Sequence, residues 1–199
     1  MTAALKLNRV SVEDYLAGEL ESPVKHEYVD GRVYAMAGAV NLHNIIGVNI
    51  LGSLFGRLRG KPCQPFNSDT KIRILQPRVR FYYPEVSVVC RPNPVHDSFQ
   101  DSPVVLFEVL SKGTRRIDEG EKHEAYLSIP SLNAYVLVEQ EVPLVVVYRR
   151  TDTGFVREEY QGLEAVIPLG EIDTDLPLSE IYGRVEFVPE TSEVAEQSR

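Results

Sequence analysis

The sequence predicts an α/β fold, a single domain in which helices flank a mixed β-sheet. Three observations lead there. Residues 85–90 and 104–110 form two near-continuous apolar runs with the length and composition of central strands. Apolar residues recur every four positions between 41 and 59, which marks a long helix packed along one side. Between the first helix and Tyr182 no stretch has the composition of a linker, and 199 residues suit one domain rather than two.

Each element follows from its residues. Ser11-Val12-Glu13-Asp14 opens a short helix with a capping serine, and Leu16 and Leu20 lie one turn apart. Residues 25–29 and 32–36 flank Asp30-Gly31, a pair that supplies the positive φ angles of a two-residue hairpin turn. In the 41–59 helix Leu42, Ile46, Ile50, Leu54 and Leu58 make the stripe, and Gly60 follows its end. Residues 70–74 alternate as a strand, with Thr70, Ile72 and Ile74 opposite Lys71 and Arg73. After the two central strands, 118–129 reads as one helix stopped by Pro130. Residues 134–138 and 142–148 form a second hairpin, 155–160 an added edge strand, and 176–182 a last short helix or turn.

Composition removes several function classes. The longest apolar runs fall far short of the roughly 20 residues of a membrane span, and the first residues lack the apolar segment of a signal peptide. Two cysteines allow neither a disulfide framework nor a four-cysteine zinc site, so a reducing cytoplasm is the expected compartment, with Cys90 a packing residue. The net charge of −8 argues against indiscriminate nucleic-acid binding. The charge is uneven, however. Residues 188–199 read as an acidic disordered tail after a domain at 9–187, whereas 56–80 carries seven basic residues against Asp69 alone. A second basic cluster is Lys112, Arg115 and Arg116. Solvated charge and a phosphate-facing surface are equally good readings of both clusters.

The informative residues are carboxylates in apolar strands, where an unpaired charge is expensive. Glu108 stands in the middle of Val-Val-Leu-Phe-Glu-Val-Leu, and Glu85 opens the neighbouring apolar strand directly after Pro84. Such a pair can share a hard divalent cation, with a main-chain carbonyl such as that of Val109 completing the shell. Glu27, on the hairpin face of Val29, Tyr34 and Met36, is a third candidate. Each is alternatively a salt-bridged or hydrogen-bonded strand residue. Lys122 either swings back toward these carboxylates or pairs with Asp118 one turn away. His43 is a capping, core or functional histidine, and Asp69 a turn residue or a site residue. No nucleophile elbow, Walker loop, dinucleotide fingerprint or zinc-protease motif is present.

Read together, Glu27-Tyr28-Val29-Asp30-Gly31, Met36-Ala37-Gly38-Ala39 with His43, Ser68-Asp69, Tyr82-Tyr83-Pro84-Glu85-Val86, Phe107-Glu108-Val109-Leu110-Ser111, Asp118-x-x-x-Lys122-x-x-x-Tyr126 and Pro130-Ser131-Leu132 occur in the order and spacing of a known family. The chain resembles the Uma-type restriction endonuclease family of the PD-(D/E)XK nuclease superfamily over residues 9–183. The resemblance implies a restriction-endonuclease-like core and a Mg²⁺-dependent endodeoxyribonuclease, with Mn²⁺ as a substitute ion. Pro84-Glu85 takes the place of the Pro-Asp pair and Glu108 that of the second ligand. Leu110 stands where the superfamily has lysine, so Lys122 or Lys112 supplies that group. The implied catalytic set is Glu85, Glu108, Lys122 and Glu27, with Glu85, Glu108 and Val109 holding the ion and His43, Asp69 and Lys112 lining the site. Arg57, Lys71, Arg73 and Lys112 are the expected contacts to DNA phosphates. A homodimer is compatible with the resemblance. The glutamate at 85 and the displaced lysine also fit a degenerate copy that binds nucleic acid or protein without cutting.

Overall fold

Ser11 caps α1 (Val12–Glu21), its hydroxyl accepting a hydrogen bond from the Asp14 N–H at 3.0 Å. The computed structural model describes residues 9–111, 113 and 115–187, without the Ile117 side chain. Strands β1 (His26–Val29) and β2 (Arg32–Ala35) form the expected hairpin, and Asp30 and Gly31 turn it at φ of 46° and 86°. Helix α2 (Asn41–Leu58) buries Ile46, Ile50, Leu54 and Leu58, the four-residue stripe read from the sequence.

Among the described residues the strands sort into three sheets rather than one. The largest has the order β11-β10-β9-β8-β6-β3, where β3 is Gln64–Asn67, β6 Val86–Val89, β8 Pro103–Val109, β9 Ala134–Val138, β10 Leu144–Thr151 and β11 Gly154–Gln161. Only its β8–β9 pair is parallel. A second sheet has the order β2-β1-β5-β4-β7, with β4 at Lys71–Ile74, β5 at Arg80–Tyr82 and β7 at Phe99–Gln100. The third is the hairpin of β12 (Val166–Leu169) and β13 (Thr174–Pro177). Helices α3 (Arg115–Asp118), α4 (Glu121–Leu127) and α5 (Leu178–Ile181) complete the domain.

Burial explains the layering. The face of the six-stranded sheet bearing Val86, Val88, Val105, Phe107 and Val109 packs on α2, α5 and the small hairpin. Its other face, carrying Leu106 and Leu110, meets Ile72, Ile74 and Tyr82 of the second sheet and Ala125 and Tyr126 of α4. Helix α1 closes the far side of the second sheet by packing Tyr15 on Tyr28 and Phe81. Both predicted central strands lie inside the large sheet, as their continuous apolar character requires. No described helix is long and apolar enough to cross a membrane.

Three expectations are corrected. The 118–129 helix divides into α3 and α4, because the chain pinches at Gly120 until a Cβ there would lie 2.6 Å from the Arg116 carbonyl oxygen. Leu176 belongs to β13, and only 178–181 is helical. Cys63 and Cys90 are joined as a disulfide, since the Gln64–Val89 register of β3 and β6 sets them opposite one another. Cys90 is therefore a bonded partner as well as a packing residue.

Candidate active site

Strands β6 and β8 pair Val86 with Phe107. Continuing that antiparallel register places Glu85 directly opposite Glu108, where two ionised carboxylates would repel. A proton held between the two would relieve that repulsion. The two carboxyl groups hydrogen-bond each other. Burial, with the nearby Glu85 and Asp118 charges, holds Glu108 well above the usual carboxylate range despite the Lys122 charge. Burial also works to raise Glu85, but the hydrogen bonds from Glu108 and His43 and the charges of His43 and Lys122 prevail and lower it to about 2. The surroundings of Glu108 thus favour the neutral form, and those of Glu85 favour the charged form.

Each carboxyl is anchored from its own side. Glu85 Oε2 accepts the Val109 N–H at 3.2 Å, and Glu85 Oε1 lies 3.1 Å from His43 Nε2. His43 reaches this point from the first turn of α2, and it also hydrogen-bonds the Val109 backbone. Burial lowers the His43 pKa, yet these bonds and the Glu85 charge outweigh it and raise the value. Glu108, 2 % exposed, accepts a hydrogen bond from the Tyr126 hydroxyl at 3.0 Å.

Behind this pair sits Lys122, 7 % exposed, on α4. Its Nζ lies 2.8 Å from Glu27 Oε1 and 3.5 Å from both Glu108 Oε1 and Asp118 Oδ1, with the Tyr82 ring 5.6 Å away. Both sequence readings of Lys122 hold at once: it pairs with Asp118 and it reaches the strand carboxylates. Glu27 arrives from β1 opposite Tyr82, by the register that pairs Tyr28 with Phe81. A cleft of about 530 Å³ opens onto Glu85 and His43 between Lys25, Gly38, Ser68 and Tyr83. Glu27, Glu108 and Lys122 do not line it, so anything entering meets Glu85 and His43 first.

The donor chemistry suits a hard divalent cation, because two carboxylates that need a proton to coexist can share an ion in its place, and Mg²⁺ commonly takes only one or two carboxylates. Among the described residues no three His, Cys, Asp or Glu side chains stand in a metal-holding cluster. The Val109 backbone, expected to contribute a ligand, instead bonds Glu85 and His43.

Other expected site residues lie elsewhere. Asp69 pairs with Lys25 at 2.7 Å and accepts from Asn67, as a turn residue does, and stays outside the carboxylate group. Arg57 makes a two-pronged pair with Glu180, both contacts 2.6 Å, and Arg73 a similar one with Asp101 at 2.7 and 2.8 Å. Both guanidiniums were expected on phosphates and are instead engaged within the domain. Lys71 is buried, and Lys112 lies outside the described residues. Sequence reasoning gave Asp118 no role beyond pairing with Lys122, and Tyr126 none. Their four-residue spacing around Lys122 was the available signal.

Comparison with known proteins gives the family and the fold. The family model Uma2, described as "Putative restriction endonuclease", matches residues 12–178. An uncharacterized Synechocystis sp. protein, slr1290, is 35% identical over 147 residues, covering 73% of this chain and 77% of that one. A second Synechocystis sp. protein, sll1609, is 27% identical over 162 residues, covering 79% and 91%. The crystal structure of a "putative nuclease belonging to DUF820" from Anabaena variabilis superposes with a TM-score of 0.67 at 15% identity, covering 82% of this chain and 94% of that one, and so shares its fold.

Proposed function

The chain belongs to the Uma2 restriction endonuclease family, and from that premise we propose that it is a divalent-metal-dependent endonuclease that hydrolyses DNA phosphodiester bonds. One observation carries the reading. Glu85 and Glu108 are opposed across neighbouring strands, and Glu85, held by His43 and the Val109 N–H, faces a cleft. Two opposed carboxylates in an apolar sheet carry a desolvation and repulsion cost that a purely structural strand pair does not need.

In the proposed centre Glu85 and Glu108 would hold Mg²⁺ or Mn²⁺. The bound ion supplies Lewis-acid polarisation of the phosphate and lowers the pKa of a bound water. The Val109 N–H fixes Glu85 Oε2, and the proton on His43 Nε2 fixes Oε1. Tyr126 holds Glu108 in its rotamer. Lys122 keeps Glu27, Glu108 and Asp118 together, and with Glu27 it orients the attacking water. Pre-organisation of this kind is the part of phosphoryl transfer that a protein controls.

The lack of a three-residue metal cluster among the described residues favours a second reading, a nuclease fold retained for binding alone. Plasmid nicking with Mg²⁺ or Mn²⁺ separates the two. Under the nuclease reading Glu85→Gln and Glu108→Gln each lose more than about a hundredfold in rate, beyond the loss typical of groups that only orient a ligand. A parent protein that leaves plasmid intact with either ion supports the binding module.

A further inference from the structure

Lys71 is 4 % exposed, yet it has no hydrogen bond or ion pair among the described residues. Its stem is enclosed in β4, and its ammonium lies 5.4 Å from the centroid of the Tyr83 ring. The acids around it are already engaged. Glu19 accepts from the His26 N–H and the Tyr83 hydroxyl, both at 2.8 Å, and Asp69 pairs with Lys25. Lys71 therefore stands as a largely buried cation that feels the Glu19 charge but makes no direct ion pair, so an anion reaching its ammonium from the cleft would be favourably placed.

The space beside it is large enough for such a group. Lys71 lines a cleft of about 580 Å³ with Phe66, Thr70 and Gln100, and the carboxylates Glu19, Asp69 and Asp97 are also on its walls. This cleft is not the one that reaches Glu85, but Pro23, Lys25 and Tyr83 are walls of both. A polymer lying across Glu85 and His43 thus continues into the Lys71 cleft over the Tyr83 edge. A nucleic-acid strand repeats its phosphates at a regular spacing, so a phosphate held at the centre brings another toward Lys71.

We propose that the Lys71 cleft is a second phosphate subsite, in which the ammonium binds a strand phosphodiester beyond the one at the reacting centre. The proposal rests on the nuclease reading of the neighbouring cleft. Burial lowers the Lys71 pKa, against the raising influence of the Glu19 charge, as expected of an ammonium awaiting an anion. The contact positions the strand and carries no base specificity.

The test uses the full-length protein in EDTA, where no cleavage occurs. With lysine Cε labelled in ¹³C, the Lys71 signal is followed while the dinucleotide pTpT, or inorganic phosphate at the same concentration, is added. The expected result is a saturable shift with pTpT and little with phosphate. In parallel, Lys71→Met should bind a fluorescent DNA duplex about tenfold more weakly with a salt slope smaller by about one, and Lys71→Arg should restore both. A Lys71 signal that ignores pTpT, or that answers inorganic phosphate equally, overturns the subsite. So does Lys71→Met with parental affinity and salt slope. The two readings fail separately. If Lys71 responds but the metal-loaded protein cuts nothing, the subsite stands without the nuclease. If the protein cuts and Lys71→Met binds normally, only the subsite is lost.

Discussion

Two carboxylates set opposite one another in a sheet repel unless a proton or a cation lies between them, and Glu85 and Glu108 are held by that rule. The surroundings of Glu108 favour its neutral form, and Gln keeps an acceptor for Tyr126, so Glu108→Gln should melt within a few degrees of the parent. Lys122 is different, because its removal takes a buried ammonium away from the Glu27, Glu108 and Asp118 carboxyl groups that face it. Lys122→Ala should lose about 3–5 kcal/mol by denaturant unfolding. Lys71→Met should do the reverse and raise the melting temperature at pH 7. Lys71, faced by Glu19 and Tyr83 and near the Lys25–Asp69 pair, has a folded pKa below its unfolded value. Its penalty is therefore full while both states are protonated, and it fades as pH rises through the folded value toward 10.5. The gain in Lys71→Met should shrink over that range, and a constant difference would count against a buried ammonium. At this scale Glu108 was legible because charge in an apolar strand is conspicuous. The pairing of Arg57 with Glu180 and of Arg73 with Asp101 was not, since the partners lie 123 and 28 residues away.

Local periodicity served well for elements whose partners are near in sequence. The α2 stripe and the Asp30-Gly31 hairpin were legible because their spacing and turn chemistry reside in the residues themselves. The short strands β3, β5 and β7 were not, because two to four residues carry little pattern and their pairing is decided by distant partners. The division of α3 from α4 escaped for a related reason, since Gly inside an apolar helical pattern signals a break only once the close approach to the Arg116 carbonyl is known. Gly120→Ala should therefore destabilise by about 1–3 kcal/mol. It should also loosen Lys122, which α4 carries, and melting together with the nicking rate checks both effects. A Gly120→Ala variant as stable as the parent would show that the pinch relaxes freely.

For the molecule as a whole, the two larger sheets meet across Leu106, Leu110, Tyr82 and Tyr126, and Glu108 emerges on that same face of β8. The site therefore lies at the junction of the sheets, which is why its residues come from 27, 43, 85, 108, 118 and 122. The predicted α/β class and the carboxylate set were readable, whereas the division into separate sheets depended on long-range pairing that no local signal records. We propose that residues 9–187 form the folding unit. Phe187 packs on Tyr182 at 5.2 Å between ring centroids, so ending the chain after Phe187 should leave the melting temperature unchanged, whereas ending it at Val185 should lower it. A fall of several degrees on the first truncation would place residues 188–199 within the cooperative unit.

The central claim is that Glu85 and Glu108 share a proton in place of a divalent ion. Calorimetric titration of the full-length protein with Mn²⁺ or Mg²⁺, in two buffers of different ionisation enthalpy, tests it directly. The expected result is saturable binding with release of a proton on loading, abolished in Glu108→Gln. Absence of saturable binding by the parent, or equal binding without proton release in both proteins, would contradict it.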